Sequence, residues 1–176
     1  RTALRQAEAI LYTLQLPDTY NNYSYYGRGP VNNYADRKTA QNIELHKSTV
    51  KDQFVPWPNP QSMSNNEEVR WAALTDSHGD GVVFVAKDKM STSALPWSEM
   101  DVTLASHPYK LPTSTGTHIH LDAGVTGLGG NSCGQGPPLP QDRVKASSTA
   151  LGFIIRPIKK NDYSSKAAVT VAGDMP

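Results

Sequence analysis

The spacing His118-x-His120-x-Asp122 is the first arrangement in the chain that could do chemistry. Alternate residues of a strand point to one face, so these side chains could converge as a two-histidine, one-carboxylate metal site. The same period also describes the polar outer face of a half-exposed strand, with Ile119 and Leu121 turned to the core. The second reading is the expectation, and no metal is assigned. Cys133 is the only cysteine, and His107, His118 and His120 lie elsewhere in the chain. A thiol–imidazole nucleophile is formally available, but a small buried thiol is expected. Glu99 with Asp101, and Asp76 with Asp80, have no spacing that sets an acid against a nucleophile across a cleft. The glycines between 124 and 136 match no nucleotide fingerprint, and no helix follows to lend its N-terminus. Trp57 and Trp97 lie in proline-flanked turns, where an indole could stack on a sugar or pack against proline, whereas Trp71 reads as core.

The elements that must position these residues read as strands. Residues 9–16, 42–46, 68–75, 81–86, 98–105, 117–121, 151–157 and 167–171 carry alternation or β-branched runs. DSHGDG (76–81) is turn chemistry, so the strands on either side form a hairpin. In EVRWAALT (68–75), Val69, Trp71 and Ala73 are expected on one face. Residues 1–8 carry good helix formers and are left unassigned. Thirteen prolines and thirteen glycines are scattered as punctuation, which favours many short elements. The predicted fold is all-β, an antiparallel β-sandwich in one domain of 176 residues. Two long irregular segments, 52–66 and 122–142, interrupt it.

Composition narrows the function. A formal net charge of +1, without a basic stripe, lacks the footprint of a nucleic-acid binder. No apolar run is long enough for a membrane span, and no signal-peptide pattern opens the chain. The chain begins at Arg1, so a mature product or a piece of something longer is expected, with cytoplasm and periplasm both open.

The segment YYGRGPVNNYADRKTA (25–40) has neither helical nor strand periodicity. With VRWAALTDSHGDGVVFVA (69–86), ASHPYKLP (105–112) and LDAGVTGLGGNSCG (121–134), it resembles the C-terminal domain of family 2 β-galactosidases of the lacZ type. Gly27, Arg28, Gly29, Pro30, Asn33, Tyr34, Asp36 and Arg37 match the first motif, and Asn32 stands where the family carries Glu. The resemblance covers about residues 12–158.

It implies part of a supersandwich like that of galactose mutarotase, without catalytic residues of its own. The acid and nucleophile glutamates and the magnesium would belong to a partner barrel domain, leaving no cofactor here. The expected roles are to shape the mouth of a galactoside-hydrolysing site and to support assembly, with self-association through uncovered sheet edges. Asn131, Ser132 and Cys133 would lie at the sugar, Cys133 in place of a stacking tryptophan, with Trp57 and Trp97 as further sugar contacts. Gly27 and Gly29 are expected to take unusual backbone angles, Pro30 to fix a turn, and the rest of the motif to clamp it. Two alternatives remain: a free carbohydrate-binding module using Trp57, Trp97 or the 122–140 segment, and a mutarotase-like enzyme pairing His107 or His118 with a carboxylate.

Overall fold

The structure, a computed structural model, describes residues 9–61, 63–114, 116–128, 138–145, 150–160, 162 and 164–173. Among these residues seven antiparallel strands form one sheet: β1 (Ala9–Leu16), β2 (Asn22–Gly29), β3 (Asn42–Thr49), β4 (Asn66–Thr75), β5 (Gly81–Leu95), β6 (Thr117–Val125) and β7 (Phe153–Ile158). Their order is β1-β6-β5-β4-β2-β3. The long β5 carries two neighbours on its other side, β7 along Gly81–Ala86 and β6 along Ser91–Leu95.

The sheet folds over its own apolar face. Tyr23 and Tyr25 of β2, Val69 and Leu74 of β4, Phe84 and Ala94 of β5 and Ile119 and Leu121 of β6 bury into one cluster. Tyr12 of β1 meets Phe153 of β7 edge-on with ring centroids 5.5 Å apart, although these strands share no ladder. The result is the expected all-β sandwich. The opposite face holds a second cluster, in which Trp71, Val83, Val85 and Ile158 pack under Ala167, Ala168 and Val171 of a helix, α2 (Ser164–Gly173).

Several local expectations are corrected. Residues 167–171 are helical: alternation over so few residues cannot separate a strand from a helix laying Ala167, Ala168 and Val171 on a sheet. Residues 98–105 also contain no strand but a short helix, α1 (Glu99–Leu104). Its signal was present in the sequence. The Ser98 hydroxyl accepts from the Asp101 amide and the Asp101 carboxylate accepts from the Ser98 amide, a reciprocal capping box. Ser98→Ala is expected to cost about 1 kcal/mol, checked by urea unfolding.

The first residues of YYGRGPVNNYADRKTA are strand after all, as β2 runs to Gly29 between β3 and β4. Irregularity begins at the Gly29–Pro30 peptide, which is cis. Neither Gly27 nor Gly29 has positive φ. Each is glycine for want of room: a Cβ on Gly27 would lie 2.8 Å from Val69 Cα, and one on Gly29 2.8 Å from the His46 ring. Val69 and Trp71 do not share a face. The β4–β5 register shifts between them, turning Val69 into the first cluster and Trp71 into the second. Glu68, beside the shift, holds φ of 55°. No helix among the described residues is long and apolar enough to cross a membrane.

Candidate functional site

The motif after β2 is a polar knot. Asn33 is wholly buried, and its side-chain amide donates to the carbonyls of Arg28 (3.0 Å) and Val31 (2.9 Å). Its Oδ1 accepts from the Glu67 amide at 2.9 Å. Its backbone pairs with Asn65 in both directions, N–H to carbonyl at 2.7 Å and carbonyl from Asn65 Nδ2 at 2.8 Å. These bonds serve backbone groups at the point where the β2–β4 ladder has ended and the chain turns away from the strand.

Arg28 reaches across the same turn. Its guanidinium donates to the Gln41 carbonyl at 2.8 Å and pairs with Glu68 at 3.1 Å, while Lys38 pairs with Glu68 at 3.1 Å and Glu67 at 3.7 Å. Burial works to raise the Glu68 carboxyl, but the two cations outweigh it and hold the group below its usual range. Arg37 is exposed, donating to Asn32 Oδ1 at 2.9 Å and lying 5.8 Å above the buried Tyr34 ring.

Asp36 connects the knot to the long segment after β6. Its Oδ1 accepts from the Leu128 amide at 3.1 Å, and a Cβ on Gly127 would lie 2.6 Å from its carboxyl carbon. The motif therefore grips the base of the segment that runs on toward Asn131, Ser132 and Cys133. Those three residues lie outside the described ones.

On β6, Ile119 and Leu121 enter the core as expected, but the other face is not half-exposed. His118, His120 and Asp122 are all buried as well. Their cover is α1 and the proline-rich segment before β4. Met63, Leu95 and Val102 pack there with Phe54, Val55, Trp97 and Leu111. Between cover and sheet lies a cavity of about 350 Å³ whose lining includes Trp97, Glu99, His120, Asp122, Ser93 and Asn65.

Asp122 is 4% exposed and its Oδ1 has no hydrogen-bond partner. Burial, with Glu99 and Glu67 adding repulsion, pushes its carboxyl up to about 8. His120 is held below its ordinary value by burial, against the pull of Glu99. Burial lowers His118 too, opposed by Asp101, whose own carboxyl is held low by the Ser98 hydroxyl.

The clamp and the cavity share a wall. Glu67 Oε1 accepts from Asn65 Nδ2 at 3.0 Å and from the Ser91 hydroxyl at 2.8 Å, and Ser91 is the β5 partner of Asp122. Among the described residues no three His, Cys, Asp or Glu side chains are arranged to hold a metal, so His118, His120 and Asp122 share a face without forming that site. Trp97 lines the cavity, meets Phe54 edge-on and donates Nε1 to the Pro112 carbonyl at 2.8 Å. Trp57 is not part of the lining and is 40% exposed. His107 stacks on Tyr109 at the surface. Lys38, Glu67 and Glu68, which carry the clamp's charge, were missed in sequence. Their only signal is two adjacent acids opposite an Arg and a Lys in the neighbouring segment.

A single antiparallel sheet folded into a sandwich, with a polar knot bracing the base of one long segment, is the frame in which these groups sit. Residues 6–155 match the family described as beta galactosidase small chain. The chain belongs to that family. It is 32% identical over 150 residues to a beta-galactosidase of Priestia megaterium, covering 85% of this chain and 14% of that protein. It is 34% identical over 149 residues to a beta-galactosidase of Lactobacillus delbrueckii subsp. bulgaricus, covering 82% and 14%. Over 134 residues it is 34% identical to beta-galactosidase BgaC of Bifidobacterium adolescentis, covering 74% and 13%. The chain thus spans about one seventh of the length of these relatives.

Proposed function

We propose that the chain is the non-catalytic C-terminal β-sandwich of a β-galactosidase, acting with a separate catalytic barrel on terminal β-galactosides. Its task is to hold the segment after β6 at the mouth of the active site and to support assembly. Acid, nucleophile and any magnesium then belong to the barrel, and Asn131, Ser132 and Cys133 are the residues presented to the sugar. The observation that carries this reading is the grip of Asp36 on Leu128 and Gly127, which fixes the base of that segment to the turn built around Asn33.

A segment that positions substrate contributes through orientation, so loosening its base raises the barrier without unfolding the domain. Asp36→Ala, in a β-galactosidase carrying this chain as its last domain, is expected to lower kcat/KM on nitrophenyl β-galactoside about tenfold. The far-ultraviolet circular dichroism should be unchanged. Unchanged kinetics would remove the positioning role.

A further inference from the structure

We infer that the cavity between β6, α1 and the segment before β4 binds a monovalent organic cation, an alkylammonium or guanidinium group. Asp122 and Glu99 line it, and among the described residues no lysine or arginine does. Asp122 is almost fully buried, and one of its carboxyl oxygens lacks any partner, so the site holds an acceptor that the chain itself does not use. Glu67 stands behind it, already engaged by Asn65, Ser91 and Lys38.

The lining acids argue against an anion. A bare metal ion would lack ligands, since no three suitable side chains converge among the described residues. An organic cation needs fewer donors from the protein, because its own N–H groups reach the carboxylates directionally. Trp97, in the lining, adds an aromatic ring on which such a cation can rest. The cavity, at about 350 Å³, has room for a side-chain-sized guest. The charged groups that act on Asp122 are Glu99 from α1 and Glu67 from β4, and the titratable His120 of its own strand lines the same cavity. A guest that ionises Asp122 should therefore release a proton near neutral pH, where burial keeps the acid protonated.

The test is calorimetric titration of the 176-residue chain with ethylguanidinium and with ethylammonium chloride at pH 7, in phosphate and in MOPS, against sodium chloride at equal ionic strength. Saturable binding is expected for the organic cations, with close to one proton released. Glu99→Gln and Asp122→Asn should each weaken it about tenfold or more, and Asp122→Asn should abolish the proton release. Glu99 is on the surface, so its variant keeps the test valid should the buried substitution perturb folding. Acetyl-Gly-Arg-Gly-amide separates the two sources of such a group. Tighter binding than ethylguanidinium assigns the site to a side chain of another polypeptide segment, and weaker binding assigns it to a free cation. Responses no different from sodium chloride, affinity unchanged in both variants, or saturation by galactose in place of the cations would overturn the inference.

Discussion

Asn33→Ala is expected to destabilise the domain by about 3–5 kcal/mol, a large share of the stability of a chain this size. The side chain is wholly buried, and its three hydrogen bonds run to backbone groups of Arg28, Val31 and Glu67. Removing it leaves the buried Glu67 amide without its acceptor, takes a donor from the carbonyls of Arg28 and Val31, and opens a hole in a wholly buried site. The adjacent Asn32 is the control. It is only half-buried and accepts from the exposed Arg37, so Asn32→Ala should cost about 0.5 kcal/mol or less. Urea unfolding of the two alanine variants checks this directly. Equal losses would mean that the knot owes nothing special to Asn33.

Asp122→Asn is expected to do the opposite, and only at higher pH. The folded carboxyl is pushed up to about 8 from an ordinary 3.8, so between those values the folded state holds a proton that the unfolded state has lost. Stability then falls as pH rises through this window, because the unfolded state binds fewer protons. Asparagine removes the penalty. The variant should match the original chain near pH 4 and exceed it by about 2–4 kcal/mol at pH 8. His118 and His120, both held neutral by burial, favour folding as pH rises past their unfolded range, but they do so in both proteins and largely cancel in the difference. Urea unfolding at pH 4.5, 6 and 8 in sodium phosphate measures it. A difference that stays flat with pH would mean that Asp122 is ionised in the fold.

What could be read in the sequence was local. The β4–β5 hairpin declared itself because DSHGDG sits between two apolar runs, and β1 matched its expected limits of 9 and 16. The clamp role of the 25–40 segment was legible in kind, since glycine, asparagine and charged residues without periodicity suit an irregular bonded turn. Its partners were not, because Glu67, Glu68 and Asn65 lie more than twenty residues away in the chain and meet it only through the β2–β4 ladder. The two helices were read as strands for different reasons. Ala167–Val171 is too short for its period to decide, whereas Ser98 and Asp101 carried a cap that the alternation hid. The cavity was illegible. Its acids come from α1 and β6, and the burial of β6 on both faces depends on a cover built from the proline-rich segment. Strand period alone cannot distinguish a polar face under such a cover from one open to water.

Under the function proposed above, this domain serves a catalytic partner and is not itself the catalyst. The most direct measurement is hydrolysis of nitrophenyl β-galactoside by three preparations: the chain alone, a family β-galactosidase truncated before its small-chain region, and that truncated enzyme with this chain fused in the missing place. Activity is expected in the fusion and little or none in either part. Hydrolysis by the chain alone, or a truncated enzyme as active as the fusion, would contradict it.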